Sequence, residues 1–354
     1  MITNEAKIIN HLVKVLLFEN SIPFILSHKY SNFYFGFLYI KESAINFHKL
    51  KPFLVLLFKL KVMISIEPKD ISPAKLQGYL QSAIAPRPIA FASTVDTKGR
   101  PNLSPFSFFN VFSSNPPILI FSPARRVRNN TTKHTLVNSE ATREVVINVV
   151  NFNMVQQMSL ASTEYPDGTN EFIKAGFTAV PSDIVKPYRV MESPVQFECK
   201  VNEIISLGNE GGAGNLVICE VVKIHIHEAV LDENGVIDPK KIDLVSRMGG
   251  DWYSRANKGL FSVPKPLSTL GIGVDQIPTR IKESSIFDGN DLGKLGNIEA
   301  LPSKAEIDIF VKQNFTVKGV LSADDILKQY QLAKEYLNSN DPISAWKVLL
   351  AKGI

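Results

Sequence analysis

The sequence predicts a mainly β domain, a small antiparallel barrel with short helices, followed by a C-terminal extension of loops and helices. Three observations carry this. Between residues 89 and 246 the chain shows short apolar, β-branched runs separated by turn sequences. Helical patterns between those runs are few and short, which argues against βαβ units and a parallel sheet. The 354 residues, 45% hydrophobic and 21% charged, suffice for one large or two modest domains, which leaves room for the extension.

The elements follow in order. Residues 89–95, Ile-Ala-Phe-Ala-Ser-Thr-Val, read as a strand ending at the turn Asp96-Thr97-Lys98-Gly99. Residues 101–109 read as the returning strand. Pro116-Pro117 marks a turn before the buried strand 118–121. A basic loop leads to a short helix over 131–139, a strand over 144–150 and a helix over 154–161. Residues 162–190 are looser and carry several Pro and Gly. Two long β runs, 195–207 and 215–228, flank the Gly-rich stretch 208–214, and a last strand lies near 242–246.

Beyond this domain, taken as residues 63–257, the extension 258–354 divides in two. Residues 258–302 are Gly- and Pro-rich and read as extended loops. Ser322 is a candidate cap, with Asp324 and Asp325 complementing the dipole of a helix over 326–338. A second helix covers 342–352. The apolar residues Ile326, Leu327, Tyr330, Leu332, Ala333 and Leu337 suit packing on the barrel or on a second subunit.

Residues 1–62 differ in composition, being rich in Phe, Leu, Ile, Asn and Lys. Their apolar runs, 33–40 and 53–58, are shorter than the roughly 18 residues that suggest a membrane span. No secretory signal layout stands near Met1. The segment is either a membrane-surface or partner-binding appendage, or it lies upstream of a true start at Met63. The second reading is preferred because ordinary domain composition begins at Met63. The net charge of +5 is too mild to point to nucleic acid. Two distant cysteines, Cys199 and Cys219, exclude a disulfide scaffold and a CxxC metal site, and they fit a reducing cytoplasm.

No GxSxG, HExxH or P-loop occurs. Glu210-Gly211-Gly212-Ala213-Gly214 lacks the helix that a dinucleotide fingerprint needs after it, so a hairpin loop is the better reading. His225 and His227 lie two apart in a strand and could ligate a metal, but no third ligand stands nearby in sequence. The alternative places them on the solvent face, with Ile224 and Ile226 on the other.

Residues 82–135 are the informative stretch. Ala85-Pro86-Arg87-Pro88 holds an arginine in a Pro-framed loop. Residues 102–110, Asn-Leu-Ser-Pro-Phe-Ser-Phe-Phe-Asn, mix hydroxyls, amides and rings in a way that suits a flat aromatic ligand. Residues 122–135 hold four cations, Arg125, Arg126, Arg128 and Lys133, and no acid, and they run into the predicted helix. A helix N-terminus with arginine forks and a lysine makes a phosphate site. The alternative is a solvated basic turn beside an ordinary strand.

These motifs, Ala85–Ala90, Asn102–Ser107, Asn115-Pro116-Pro117 and Ser122-Pro123, with Glu144–Val149 and Arg247–Tyr253 after them, resemble in order the flavin reductase-like, flavoredoxin-like family of FMN-binding split barrels. The resemblance covers about half of the chain. It implies a six-stranded Greek-key split barrel, a homodimer, and FMN at or near the subunit interface. On that basis Asn102, Ser104, Ser107 and Asn110 would bond the flavin, and Phe106 or Phe108 would pack against it. Ser122, Arg125, Arg126, Lys133 and Thr135 would surround the phosphate. Arg87 would approach the ring or phosphate, or form a structural salt bridge. Trp252 and Tyr253 would wall the nicotinamide side. The departure is His134, where many relatives carry an acid.

The implied activity is hydride transfer from NADH or NADPH to flavin. The cofactor performs the redox chemistry and the protein aligns it. The alternatives are an FMN-carrying electron-transfer protein reduced by a partner protein, and a non-redox flavin-binding protein.

Overall fold

The structure, a computed structural model, describes residues 64–263, 266 and 270–352. The atypical N-terminal stretch and the proposed start at Met63 lie outside the described residues. Residues 64–70 belong to a first unit and contain one 3-10 turn, Pro68–Asp70. The second unit begins at Ile71.

It opens with helix α1 (Pro73–Ala83), capped by Ser72, whose side chain accepts from the Lys75 N–H at 3.3 Å. The strands and helices of the barrel follow: β1 (Ala90–Val95), β2 (Pro101–Phe106), β3 (Phe109–Ser114), β4 (Pro117–Phe121), α2 (His134–Thr142), β5 (Glu144–Val149), α3 (Val155–Leu160), α4 (Glu171–Ala175), β6 (Ala179–Val180), β7 (Arg189–Val190), β8 (Val195–Ser206), β9 (Asn215–Ile226), β10 (Val245–Arg247) and β11 (Tyr253–Arg255).

Seven strands form one sheet in the order β2-β1-β5-β8-β9-β4-β3. Every neighbouring pair is antiparallel. Its two edges, β2 and β3, are joined by only Ser107 and Phe108. Strands lie about 4.8 Å apart, so a flat sheet of seven would separate its edges by about 29 Å. Three residue steps reach about 11 Å at most. The sheet must therefore roll until the joined ends of its two edge strands come together, with a seam at Ser107–Phe108. This is the expected split barrel with one strand more than the six implied. Residues 101–109, expected as one strand, end β2 at Phe106 and begin β3 at Phe109 across the seam. The strand expected near 242–246 lies outside the main sheet, as β10, which pairs along its length with β11 and bridges Arg87 at Arg247.

Alternation builds two apolar layers on either side of the sheet. Ala90 and Ala92 join Phe106, Phe121, Ile147 and Val217 in the interior. Phe91, between them in sequence, faces Leu103, Met154, Met158 and Phe172, so α3 and α4 cover the outer side. Cys199 and Cys219 are buried free thiols of the interior, and burial pushes both thiols up.

The extension departs from expectation. Residues 258–302 contain helices α5 (Thr279–Lys282) and α6 (Gly289–Gly296), the latter opened by an Asp288/Asp291 capping box. Then come α7 (Lys304–Gln313), α8 (Phe315–Ser322), α9 (Ile326–Asn338) and α10 (Pro342–Leu350). Ser322 does not cap α9. It ends α8 and donates to the Lys318 carbonyl, while Asp325 accepts from the Leu327 and Lys328 N–H groups. Tyr330, Leu332, Ala333 and Leu337 pack with Trp346 and Leu295 in a core of the extension's own, while Ile326 and Leu327 are exposed. Among the described residues no helix is long and apolar enough to cross a membrane.

Candidate functional site

A cavity of about 400 Å³ opens at the barrel seam. Its walls come from five segments. The seam supplies Phe106, Ser107 and Phe108. The loop after β4 supplies Ser122, Arg125, Arg126 and Arg128. Lys133 stands at the start of α2, Gln77 and Gln81 project from α1, and Glu164 comes from the segment between α3 and α4. Folding thus brings the aromatic-hydroxyl segment against the cationic loop, as the sequence reading required.

The loop's shape is held from outside by the β8–β9 hairpin turn, the Gly-rich run whose hairpin reading is correct. The Arg125 N–H donates to the Ala213 carbonyl at 2.8 Å, and the Gly212 N–H returns to the Arg125 carbonyl at 3.0 Å. Ser122 Oγ accepts the Asn215 N–H at 3.0 Å, and the Asn130 amide donates to Asn209. A Cβ on Gly211 would stand 3.0 Å from the Val127 carbonyl oxygen and 3.1 Å from that of Arg126. Only glycine permits that approach of two backbones.

The cations differ in how free they are. Arg125 turns its fork onto Asn130, with Nε 2.6 Å from the side-chain oxygen. Arg126 donates to Thr131 Oγ1 and the Thr132 carbonyl, and its Nε lies 3.1 Å from Glu164. Arg128 pairs with the same carboxylate at 2.8 Å. Lys133 is half-buried, and among the described residues no carboxylate pairs with it. Burial, and then the charge of Arg126, push its ammonium below the usual lysine range. Lys133 is also the N-cap of α2 and makes no side-chain cap bond, so the first turn's N–H groups are left uncapped beside it. The helix starts at His134, later than the expected residue 131.

The other predicted residues lie around this cavity. Asn102, Ser104 and Thr135 line a narrow adjoining crevice. Asn102 and Thr135 are buried there in a polar network: the Asn102 amide donates to Thr135 Oγ1 at 2.9 Å and to Thr94 Oγ1 at 3.2 Å. His134 borders the same crevice, and buried Glu171 faces it from α4. Burial raises the Glu171 carboxyl, while the Leu103 N–H and the charge of His134 act against it. Asn110 is exposed on β3, outside the cavity wall, and accepts the Val111 N–H.

Arg87 stands behind the wall. Its guanidinium donates to the carbonyls of Gln81, Ile84 (2.7 Å) and Met248 (2.9 Å), and to Ser107 Oγ at 3.4 Å. It pairs with no carboxylate among the described residues, so its structural role is a carbonyl clamp rather than a salt bridge. It ties α1 and the 248 turn to the seam serine. Tyr253 lines a different cavity, and Trp252 lines neither.

The His225 reading is corrected too. His225 is half-buried, whereas Ile224 and Ile226 are exposed. Glu198, far off in sequence, meets His225 Nε2 at 2.7 Å, and Asp183 lies beside them. The Glu198 oxygens accept the N–H groups of Asp183, Ile184 and Val185, and Asp183 pairs with Lys223, so the cluster fastens a loop to β8. His227 lies past the strand end, where its ring accepts the Ala229 N–H.

Sequence reasoning missed Gln77, Gln81 and Glu164. The only signal for the glutamines was their four-residue spacing, which puts both on one face of α1. Nothing local marks Glu164.

The chain is thus a split antiparallel barrel with an aromatic and cationic cavity at its seam. Comparison with known proteins gives it a family. The flavin reductase like domain matches residues 82–243. An uncharacterized Aquifex aeolicus protein is 36% identical over 188 residues, covering 53% of this chain and 93% of that protein. An uncharacterized protein of Halalkalibacterium halodurans is 33% identical over 205 residues, covering 57% and 97%. Among solved structures, nitrilotriacetate monooxygenase component B from Bacillus cereus superposes with a TM-score of 0.54 at 27% identity, covering 57% of this chain and all of that one. The 2-nitrobenzoate 2-nitroreductase of Pseudomonas fluorescens shares the fold, with a TM-score of 0.51 at 24% identity and 59% and 100% coverage. The chain belongs to the flavin reductase-like family.

Proposed function

We propose that this chain is an FMN-dependent oxidoreductase that takes hydride from NADH or NADPH. The observation that supports it best is Lys133, a half-buried cation without a carboxylate partner among the described residues, on the wall of a cavity that Phe106 and Phe108 also line. The cavity's size falls in the range of about 300–1,000 Å³ typical of small-molecule sites. The residues fit the cofactor's two ends. Phe106, Ser107 and Phe108 would meet the ring, and Ser122, Arg125, Arg126 and Lys133 would meet the phosphate. When bound, FMN supplies the ring that accepts hydride. Asn102, Ser104 and Thr135 shape the floor beside the phosphate end, and Arg87 holds Ser107 in place. Asn110 belongs to the site only if the outer face of β3 contributes.

The same reading takes the protein to act as a homodimer in the cytoplasm, passing electrons to a small acceptor or a redox partner protein. Exposed Val222, Ile224 and Ile226 on β9 and Val111 and Phe112 on β3 offer apolar surface for a second copy. Free buried thiols fit a reducing compartment. Light scattering on the purified protein tests the dimer, and a monomer at micromolar concentration would refute it.

Lys133→Ala tests the site. A charge-assisted bond contributes about 1.5–3 kcal/mol, so FMN affinity should fall by roughly tenfold or more. Riboflavin, which has no phosphate, should bind nearly as before. Flavin fluorescence titration reads both. Equal losses for the two ligands would contradict the phosphate assignment.

A further inference from the structure

A second cavity, about 410 Å³, lies where the β10–β11 hairpin faces α3. It is as large as the seam cavity and shares no lining residue with it. One side is formed by Phe152 and Val155, the other by Val245, Arg247, Tyr253 and Arg255. Both rings are open to solvent, Phe152 at 44% and Tyr253 at 36%. Each is faced by a guanidinium: Arg255 lies 3.8 Å from the Phe152 centroid, and Arg247 lies 4.6 Å from that of Tyr253.

The two arginines are not equivalent. Arg255 is neutralised by a bidentate pair with Asp243, at 2.9 and 2.6 Å. Arg247 has no carboxylate partner among the described residues. Its one side-chain hydrogen bond is a long contact, 3.5 Å, to the Trp252 carbonyl. A half-buried guanidinium held on a ring, with its fork unspent, suits a carboxylate, because fork and carboxylate match in two parallel bonds. The open rings, with Val155 and Val245, suit a flat apolar body. Asp251 on the lining disfavours a ligand of higher negative charge.

We propose that this cavity binds a planar organic monoanion, an aromatic carboxylate, with its carboxylate on Arg247 and its ring against Phe152 and Tyr253. Hydrogen bonds join its wall to that of the seam cavity. Arg247 and Arg87 exchange backbone hydrogen bonds at 2.9 and 2.8 Å, and the Arg87 side chain reaches Ser107. The binding claim itself does not depend on FMN occupying the seam.

Benzoate is the probe, with benzamide as its neutral isostere, titrated calorimetrically into the purified full-length protein. The wild type should bind one benzoate saturably and benzamide at least about tenfold more weakly, as loss of one charge-assisted contact requires. Arg247→Ala should lower benzoate affinity by a similar factor, and Arg247→Lys by less. The double variant Arg126→Ala/Lys133→Ala should leave it within about twofold, since those residues line the seam cavity and its crevice and not this cavity. If Arg247→Ala does not fold, the benzoate-to-benzamide ratio on the wild type decides. No saturable benzoate binding, equal binding of both probes, or loss in the double variant rather than in Arg247→Ala would each overturn the proposal.

Discussion

Gly211→Ala isolates the coupling between the Gly-rich hairpin and the cationic loop. The added methyl would sit 3.0 Å from the Val127 carbonyl oxygen, 3.1 Å from the Arg126 carbonyl oxygen and 3.1 Å from Val127 Cα. All three are backbone atoms, so no side chain can rotate away and the loop itself must move. Overpacking of this kind costs about 1–3 kcal/mol. The displaced segment carries Arg125 and Arg126, and the Arg125 N–H and carbonyl are both bonded to this hairpin. Losing one charged contact to the phosphate would cost about 1.5–3 kcal/mol, or about ten- to a hundredfold in affinity. Riboflavin should lose little. Fluorescence titration of both flavins, with thermal denaturation to read the strain, checks this. FMN affinity equal to wild type in a folded Gly211→Ala protein would refute the buttress.

Glu198 is fully buried, and burial opposes its charge. The Asp183 N–H, the His225 ring and the Ile184 and Val185 N–H groups outweigh that and hold the carboxyl down at about 2. A folded value below the unfolded one of about 4.5 stabilises by about 3 kcal/mol at neutral pH. That contribution is fully present above about pH 4.5 and is lost as pH falls through about 2. Urea unfolding should therefore show Glu198→Gln less stable by about that amount at pH 7, with the gap to wild type shrinking at acid pH. A gap that stays constant down to the lowest pH would contradict the assignment. In the extension, Trp346 is fully buried and its Nε1 donates to the Leu295 carbonyl at 2.9 Å. Trp346→Ala should cost about 3–5 kcal/mol, read as early loss of helical circular dichroism. An unchanged melting curve would show that this core does not hold the helices.

Much of the barrel was legible because its strands carry their own signals. β5 and β9 are rich in β-branched residues, β1 is a small apolar run ending at the Asp96–Gly99 turn, and β4 follows Pro116-Pro117. The seam was not legible. Residues 101–110 are continuous in character, and the break at Ser107–Phe108 exists only because the two edges of a rolled sheet meet there. Helix α6 was hidden by glycine. Three glycines lie within Gly289–Gly296, and the reason for the last is tertiary: a Cβ on Gly296 would stand 3.0 Å from Gly273 backbone. At the site, the cationic loop and the ring-rich segment were readable because each is contiguous. The acid that absorbs Arg126 and Arg128, and the unspent charge of Arg247, arise from segments far apart in sequence, so no local pattern marks them.

Anaerobic mixing of the FMN-loaded protein with NADH, and separately with NADPH, tests the central claim most directly. Bleaching of the flavin's visible band, faster than for free FMN under the same conditions and saturable in one of the two nicotinamides, is the predicted result. A protein that does not retain FMN, or one whose bound FMN reacts no faster than free FMN with either donor, would contradict it.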